Sequence, residues 1–371
     1  MENDAEYYYY YENFTGYLLI NDTINFESDC ANAHLYGFNI FLPIIYYLIF
    51  FTGFFGNLFV ISVVSSKGRR GGRLVDTFVV NLAVADLVFV LTLPLWAISA
   101  SQNGHWNFGI AANLLCKLSS YIIAVNRFSN IFFLTCMSID RYLAVVKLMD
   151  SKYLRSSRCI HATCVAVWMI SLVLAIPSLV YRKVETSVDG LSCTEDNDST
   201  FFLGISLTMT LVTFVFPVLI ILVCYGTIIV HLNKHCVAAG NPRAEARRRH
   251  SLKMVLCIIV AFVVSWLPFN TFKAIIIISK LSKADVDYCI QLQQRNGLLI
   301  SCCLAFLNSC VNPAIYFFLD RHFRRKAEIL YKTCMRKPKS QHSHNSSASF
   351  SNYGTSESFG TSGGRTHIHM F

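Results

Sequence analysis

Seven apolar runs, each about long enough to cross a bilayer as a helix, constrain this 371-residue chain more than any other feature. They cover approximately residues 38 to 64, 74 to 100, 113 to 139, 159 to 181, 201 to 230, 252 to 279 and 294 to 319. A hydrocarbon core needs about 20 mostly apolar residues per helical crossing. Lipid offers no partner to backbone polar groups, so each crossing must satisfy its own. The expected fold is an all-α membrane protein, a seven-transmembrane helix bundle. An apolar share of 54% against 15% charged residues excludes an ordinary set of soluble domains of this length. The repeat symmetry and matching broken halves of a transporter are not visible in these runs.

The basic residues set the orientation. Of 32 Lys and Arg, 24 fall in one alternating set of connections: four at 67 to 73, five at 141 to 158, six at 234 to 253 and nine from 321 onward. Five lie in the opposite set, and Lys117, Arg127 and Lys273 lie inside spans. Short basic loops stay cytoplasmic, which puts the amino terminus outside and the carboxy terminus inside. The net charge of +10 is thus a topology signal, and nucleic acid is not needed to explain it. The first 38 residues carry seven acids and no Lys or Arg, unlike a cleavable signal peptide. Four segments follow: an acidic, Tyr-rich outer terminus at 1 to 37, the bundle at 38 to 319, an amphipathic juxtamembrane helix at 320 to 335, and a cytoplasmic tail at 336 to 371. The tail is rich in Ser and Thr and is expected to be disordered.

Most of the 14 Cys lie in or beside apolar runs, where Cys packs as a small apolar side chain. Cys30, Cys116, Cys193 and Cys289 fall on the oxidising outer side, where disulfides persist and three pairings of four thiols are available. Asn13, Asn21 and Asn197 begin outer Asn-x-Ser/Thr sequons and are glycosylation candidates, whereas Asn345 matches on the cytoplasmic side.

Polar groups inside spans are costly and mark function. Asp86 sits in the middle of the second span, with Asn57 in the first, Asn126 and Asn130 in the third, and Asn308, Ser309 and Asn312 in the seventh. Asn126 and Asn130, like Asn308 and Asn312, are four apart and share a helix face. Such oxygen donors around a carboxylate suit either a sodium ion or an ion-free hydrogen-bond network. Asp140-Arg141-Tyr142 ends the third span as an ion pair able to open when a partner docks, or as a charge pair that snorkels to water. Pro94, Pro177, Pro217, Pro268 and Pro313 interrupt five spans and provide kinks, with Trp266 beside Pro268 and Tyr316 just after Pro313.

Together Asn57, Asp86, Asp140-Arg141-Tyr142, Trp168, Pro217 with Tyr225, Trp266 with Pro268, and Asn312 to Tyr316 resemble the rhodopsin-like G-protein-coupled receptors, one marker per span in order. Thr92-Leu-Pro94 and Trp106-x-Phe-Gly109 are similar to the chemokine and peptide branch of that family. The resemblance implies disulfides Cys116 to Cys193 and Cys30 to Cys289. It also implies a swing of the sixth span about Pro268 and an inner face for a heterotrimeric G protein lined by Arg141, Tyr225 and Tyr316. That G protein would be of the inhibitory family, and no enzymatic activity is expected. The basic run Arg247-Arg248-Arg249 would flank that face or sit on anionic membrane lipids. Phosphorylation of the tail would recruit arrestin, and Cys334 is a palmitoylation candidate.

Within that resemblance, residues 116 to 127 lack the acid an amine receptor requires, and residues 294 to 319 lack the Lys of an opsin. Asp4, Glu6 and Glu12 bracket Tyr7, Tyr8, Tyr9, Tyr10 and Tyr11, an acidic setting for sulfation and an arm that would steer a basic protein. The ligand-binding candidates in the bundle are Arg127, Lys273, Trp96, Tyr121 and Cys302. Arg127 lies roughly 16 Å below Cys116 at 1.5 Å per residue. It either pairs with Asp86 or receives an anionic ligand group. Cys302 stands where chemokine receptors commonly carry a Glu, and Lys273 tops the sixth span, so the polarity of the pocket looks inverted. The expected ligand is a secreted, basic, chemokine-like protein or peptide whose free carboxy terminus meets Arg127. No cofactor is expected beyond an allosteric sodium ion. The competing readings are a receptor for a lipid or other small carboxylic acid and a non-signalling scavenger.

Overall fold

The computed structural model describes residues 37 to 66, 74 to 147, 156 to 187, 190 to 195, 199 to 235, 242 to 284 and 286 to 335, with the side chains at 235, 242 to 251, 288 and 334 outside that description. Tyr7 to Tyr11, Asn13, Asn21, Cys30, Asn197, the side chains of Arg247 to Arg249 and of Cys334, and the tail from 336 lie outside the described residues.

Seven helical spans run Phe38–Ser65, Leu74–Ser101, Gly109–Val145, Ser157–Val180, Thr200–Lys234, Leu252–Leu281 and Cys289–Leu319. Two ends differ from the expectation. Span three continues to Val145, which places Asp140-Arg141-Tyr142 inside the helix rather than at its stop. Span seven begins several residues earlier, where Asp287 caps the helix through a bond from the Cys289 amide (3.2 Å). Hydropathy marks the part of a helix inside lipid; hydrogen bonding carries the helix beyond it. Span three is 61% buried along its apolar window against 28% for spans one and four, so it forms the centre of the bundle.

The prolines of the spans are accommodated locally, Pro43, Pro268 and Pro313 within continuous helices. Span two breaks around Thr92, whose Oγ1 donates to the Phe89 carbonyl (2.8 Å) ahead of Pro94. Span five opens into a π-helical turn at Leu211–Val215 just before Pro217. Pro313 denies the Ser309 carbonyl its helical N–H, and Asn57 Nδ2 of span one donates to that carbonyl instead (2.8 Å). Pro43 lies in the outer part of span one, a proline additional to the five interruptions expected. Trp168 Nε1 of span four donates to Asn81 Oδ1 of span two (2.8 Å), a polar clasp of the kind that holds helices together in lipid.

At the end of the bundle that the distribution of basic residues assigns to the outside, two antiparallel strands, β1 (Arg182–Ser187) and β2 (Gly190–Glu195), form a hairpin. Cys193 of β2 is bonded to Cys116 near the top of span three, and the Trp106 amide donates to the Leu191 carbonyl (2.7 Å). Trp106 is fully buried between Trp96 and Phe108, with Nε1 donating to the Ala112 carbonyl (2.8 Å). The hairpin is therefore fastened to spans two and three. On the inner side Asp320 caps the juxtamembrane helix Arg321–Met335 by accepting from the His322 and Phe323 amides (2.8 and 3.3 Å). Phe323 packs on Phe59 and Tyr316, and Lys326 pairs with Asp76 (3.2 Å).

Candidate functional site

Beneath the hairpin, three cations and one carboxylate share an electrostatic neighbourhood. Arg127 of span three is half-buried, and its Nη2 donates to Asn270 Oδ1 of span six (2.6 Å). The Asn270 amide is oriented for this because its Nδ2 donates to the Trp266 carbonyl (2.8 Å). The guanidinium carbon lies 5.5 Å from the ring centroid of Phe128, 5.7 Å from Trp266 and 5.4 Å from Phe269. Aromatic faces attract a cation without cancelling its charge, so Arg127 remains available to an anion.

Lys273 stands one turn closer to the outside on the same helix. Its Nζ reaches both oxygens of Glu195 (3.2 and 3.3 Å), with about a fifth of each side chain exposed. Arg182 is the cross-strand partner of Glu195 and rests over the Trp96 ring at 5.9 Å. Burial pushes the Glu195 carboxyl up, but Lys273, Arg182 and Arg127 outweigh it and hold the group below its ordinary value. Cys302 of span seven lies within electrostatic reach of Arg127, Arg182 and Lys273. The inverted polarity read from Lys273 and Cys302 is thus accompanied by a carboxylate and a second Arg that the sequence reading did not single out.

One of the two alternatives for Arg127 is not the one the structure adopts, and Tyr121 departs from its expected place. Arg127 does not pair with Asp86. All four neighbours of that carboxylate are neutral donors: Asn126, Asn130 and Ser309 on Oδ1 (2.9, 2.9 and 2.8 Å) and Asn312 on Oδ2 (3.0 Å). With these bonds made within the bundle centre, the arginine turns outward to Asn270. Tyr121 does not face the cavity either, because its hydroxyl donates to the Leu172 carbonyl of span four (3.0 Å). A position two residues from an inward one on a helix points well around the cylinder.

The Asp86 cluster is otherwise close to the residues expected. Asn57 belongs to the Ser309 carbonyl rather than to Asp86, and Trp266 stacks between Phe262 and Phe269 under Arg127. The Oδ1 atoms of Asn130, Asn308 and Asn312 are buried and accept no hydrogen bond within the protein. Oxygen acceptors beside a carboxylate fit a small hard cation such as sodium, which the oxygens of Asp86, Asn130 and Asn312 would hold. Toward the inside, Arg141 Nη2 binds Asp140 Oδ2 (2.8 Å). Tyr225 and Tyr316 are buried near that level with hydroxyls that bind no protein group, while Tyr142 packs with Val145, Ile228 and Leu252. Pro268 lies inside span six between the two regions. Cys289 is disulfide-bonded, and its expected partner Cys30 lies outside the described residues.

A charge cluster at one end, a polar centre and an ion pair toward the other, carried by seven helices long and apolar enough to cross a membrane, are the architecture of a seven-transmembrane receptor. The model for the 7 transmembrane receptor (rhodopsin family) matches residues 56–316, so the chain belongs to that family. It is a class A G-protein-coupled receptor, a multi-pass membrane signalling protein and not an enzyme. It is 39% identical to the probable G-protein coupled receptor 25 of Mus musculus over 78% of this chain and 77% of that one. It is 38% identical to G-protein coupled receptor 15 of Mus musculus, covering 79% of each. Similarity to apelin receptor A of Danio rerio is 36% and spans nearly the whole of both chains, 94% and 95%.

Proposed function

We propose that this receptor sits in the plasma membrane with its amino terminus outside and binds a secreted, basic, chemokine-like protein or peptide whose free carboxy-terminal carboxylate enters the outer cavity toward Arg127. The observation that carries this reading is the excess of cations among the described residues there: Arg127, Arg182 and Lys273 around Glu195. A buried charge excess of this kind is relieved by an anionic ligand group. The name of the Danio rerio relative, an apelin receptor, supports a peptide ligand. The anionic segment Tyr7 to Tyr11, once sulfated, would attract the basic body of such a ligand and raise its association rate.

Binding would swing span six about Pro268, separate Arg141 from Asp140, and open the inner face to a heterotrimeric G protein of the inhibitory family. Asp86 would hold an allosteric sodium ion in the resting state. Glycans at Asn13, Asn21 and Asn197, arrestin recruited to the phosphorylated tail, a palmitoyl chain on Cys334, anionic lipid at Arg247 to Arg249 and a second disulfide from Cys289 to Cys30 complete the proposal. The rings of Phe128, Trp266 and Phe269 around Arg127 favour one alternative, a lipid carboxylic acid. The acidic tyrosine arm has no role in that alternative. A non-signalling scavenger would not need the Asp140 and Arg141 pair.

The test is inhibition of cyclic AMP formation in cells expressing the chain, screened with basic secreted peptides bearing free or amidated carboxy termini. A pertussis-toxin-sensitive response confined to the free forms supports the reading. Equal responses to free and amidated forms refute the carboxylate, and responses to fatty acids alone move the ligand class to lipids.

A further inference from the structure

The Lys273 and Glu195 pair is more than a structural brace. Glu195 sits two residues after Cys193, so both side chains project from the same face of β2, and the disulfide fixes that face over span three. The hairpin register sets Arg182 directly across from Glu195. The carboxylate is therefore delivered into a cation cluster by a covalently anchored strand. It faces Arg127 from span three, Arg182 from β1 and Lys273 from span six, and the same three cations act on the Cys302 thiol of span seven. Glu185, the acid of β1, pairs instead with the exposed Lys183 (2.9 Å). Glu195 thus occupies the position toward which an incoming anion would be drawn.

We infer that Glu195 is a built-in counter-anion, which holds Lys273 while the cavity is empty and is displaced by the anionic group of a ligand, releasing Lys273 as a second cation beside Arg127. The inference rests on the reading that an anion enters this cavity, and it adds a residue that sets both the affinity and the charge selectivity of entry. The contact between Lys273 and Glu195 keeps about a fifth of each side chain exposed, so exchange of one carboxylate for another requires no unfolding. A neutral ligand cannot make the exchange. It would leave Lys273 paired and gain nothing from the cluster.

Cys302 provides a reporter that needs no knowledge of the ligand. The full chain in cell membranes is treated with an anionic methanethiosulfonate reagent bearing a sulfonate, or with a cationic one bearing a quaternary ammonium. Label at residue 302 is taken as the signal lost in Cys302→Ser. In Glu195→Gln the ratio of anionic to cationic labelling rate should rise about fivefold, matching a partly exposed ion pair of about 1 kcal/mol. In a Lys273→Gln background the same change should raise the ratio by less than twofold, because no cation is released. Equal increases in both backgrounds would mean that Glu195 merely contributes to the field, and would overturn displacement. So would an unchanged ratio, or a residue 302 that neither reagent reaches in any variant, since an anion barred from Cys302 is also barred from the cluster. Surface display of each variant confirms folding. A failure here with a surviving preference for free carboxy termini would remove Glu195 alone; a success without that preference would remove the peptide carboxylate alone.

Discussion

Replacing Asn57 by Ala isolates one interaction that the bundle uses to contain a proline. Asn57 Nδ2 donates to the Ser309 carbonyl at 2.8 Å, and that carbonyl lacks its helical donor because residue 313 is Pro. Asn57 is fully buried, so removing the amide leaves the carbonyl without water as a substitute. An unsatisfied buried acceptor costs about 1 to 3 kcal/mol, while interhelical hydrogen bonds measured in membranes reach about 1.7 kcal/mol at most. The expected loss is about 1.5 kcal/mol, or roughly 2 °C in apparent Tm for a chain of this size. The control is Pro313→Ala, which supplies the missing N–H. In that background Asn57→Ala should cost only about 0.5 kcal/mol, close to 1 °C. Apparent Tm can be read in detergent with a thiol-reactive dye, because Cys164 and Cys224 are free and buried until the bundle opens. Equal losses with Pro and with Ala at 313 would refute the account, since Asn57 would then stabilise the bundle for a reason unrelated to the proline.

Three further outcomes are expected. Arg127→Gln keeps a donor for Asn270 and should leave surface delivery unchanged. It should lower ligand potency about 30-fold, equivalent to about 2 kcal/mol, and abolish the preference for free over amidated peptides; an intact preference would contradict it. The Glu195 carboxyl is raised by burial but lowered further by its cations, so its net depression makes the Lys273 pair stabilising above the ordinary carboxylate pKa. The stability difference between the wild-type chain and Glu195→Gln should hold from pH 7.4 to about pH 5 and shrink only as pH falls below about 4.3 toward the depressed value; a difference that vanishes near pH 6 would refute the assignment. Gly297→Ala would drive a methyl into the Phe272 ring of span six, pressing spans six and seven apart at their outer ends. A loss of about 1 to 3 kcal/mol is expected, measured by the same thermal assay, and an unchanged Tm would show that the ring moves freely.

The spans were legible because lipid demands long apolar helices, and Asp86 with Asn126, Asn130, Ser309 and Asn312 was legible because polar groups in lipid are rare. Both readings come from one-dimensional rules. Arg127 was legible as an anomaly, but its partner was not: Asn270 is one of many amides, and only the packing of span six against span three brings it within 2.6 Å. Glu195 carried a usable signal that went unread, its two-residue offset from Cys193 placing it on the face of the strand that turns inward. Tyr121 was misplaced because an aromatic high on span three looks like a pocket residue until helix rotation is known. Arg182 escaped because a charge in an outer connection is ordinary in sequence and becomes distinctive only when the hairpin folds over Trp96.

The disulfide from Cys116 to Cys193 makes the hairpin and span three parts of one lever. Asn126 and Asn130, anchored on Asp86, act as its fulcrum. The upper arm from Cys116 to Asn126 is about 15 Å long, and the lower arm from Asn130 to Arg141 is about 16 Å. With arms this nearly equal, a rigid tilt imposed on the hairpin would reappear at Arg141 with about the same amplitude and the opposite direction. Span three would need no bend of its own to carry it.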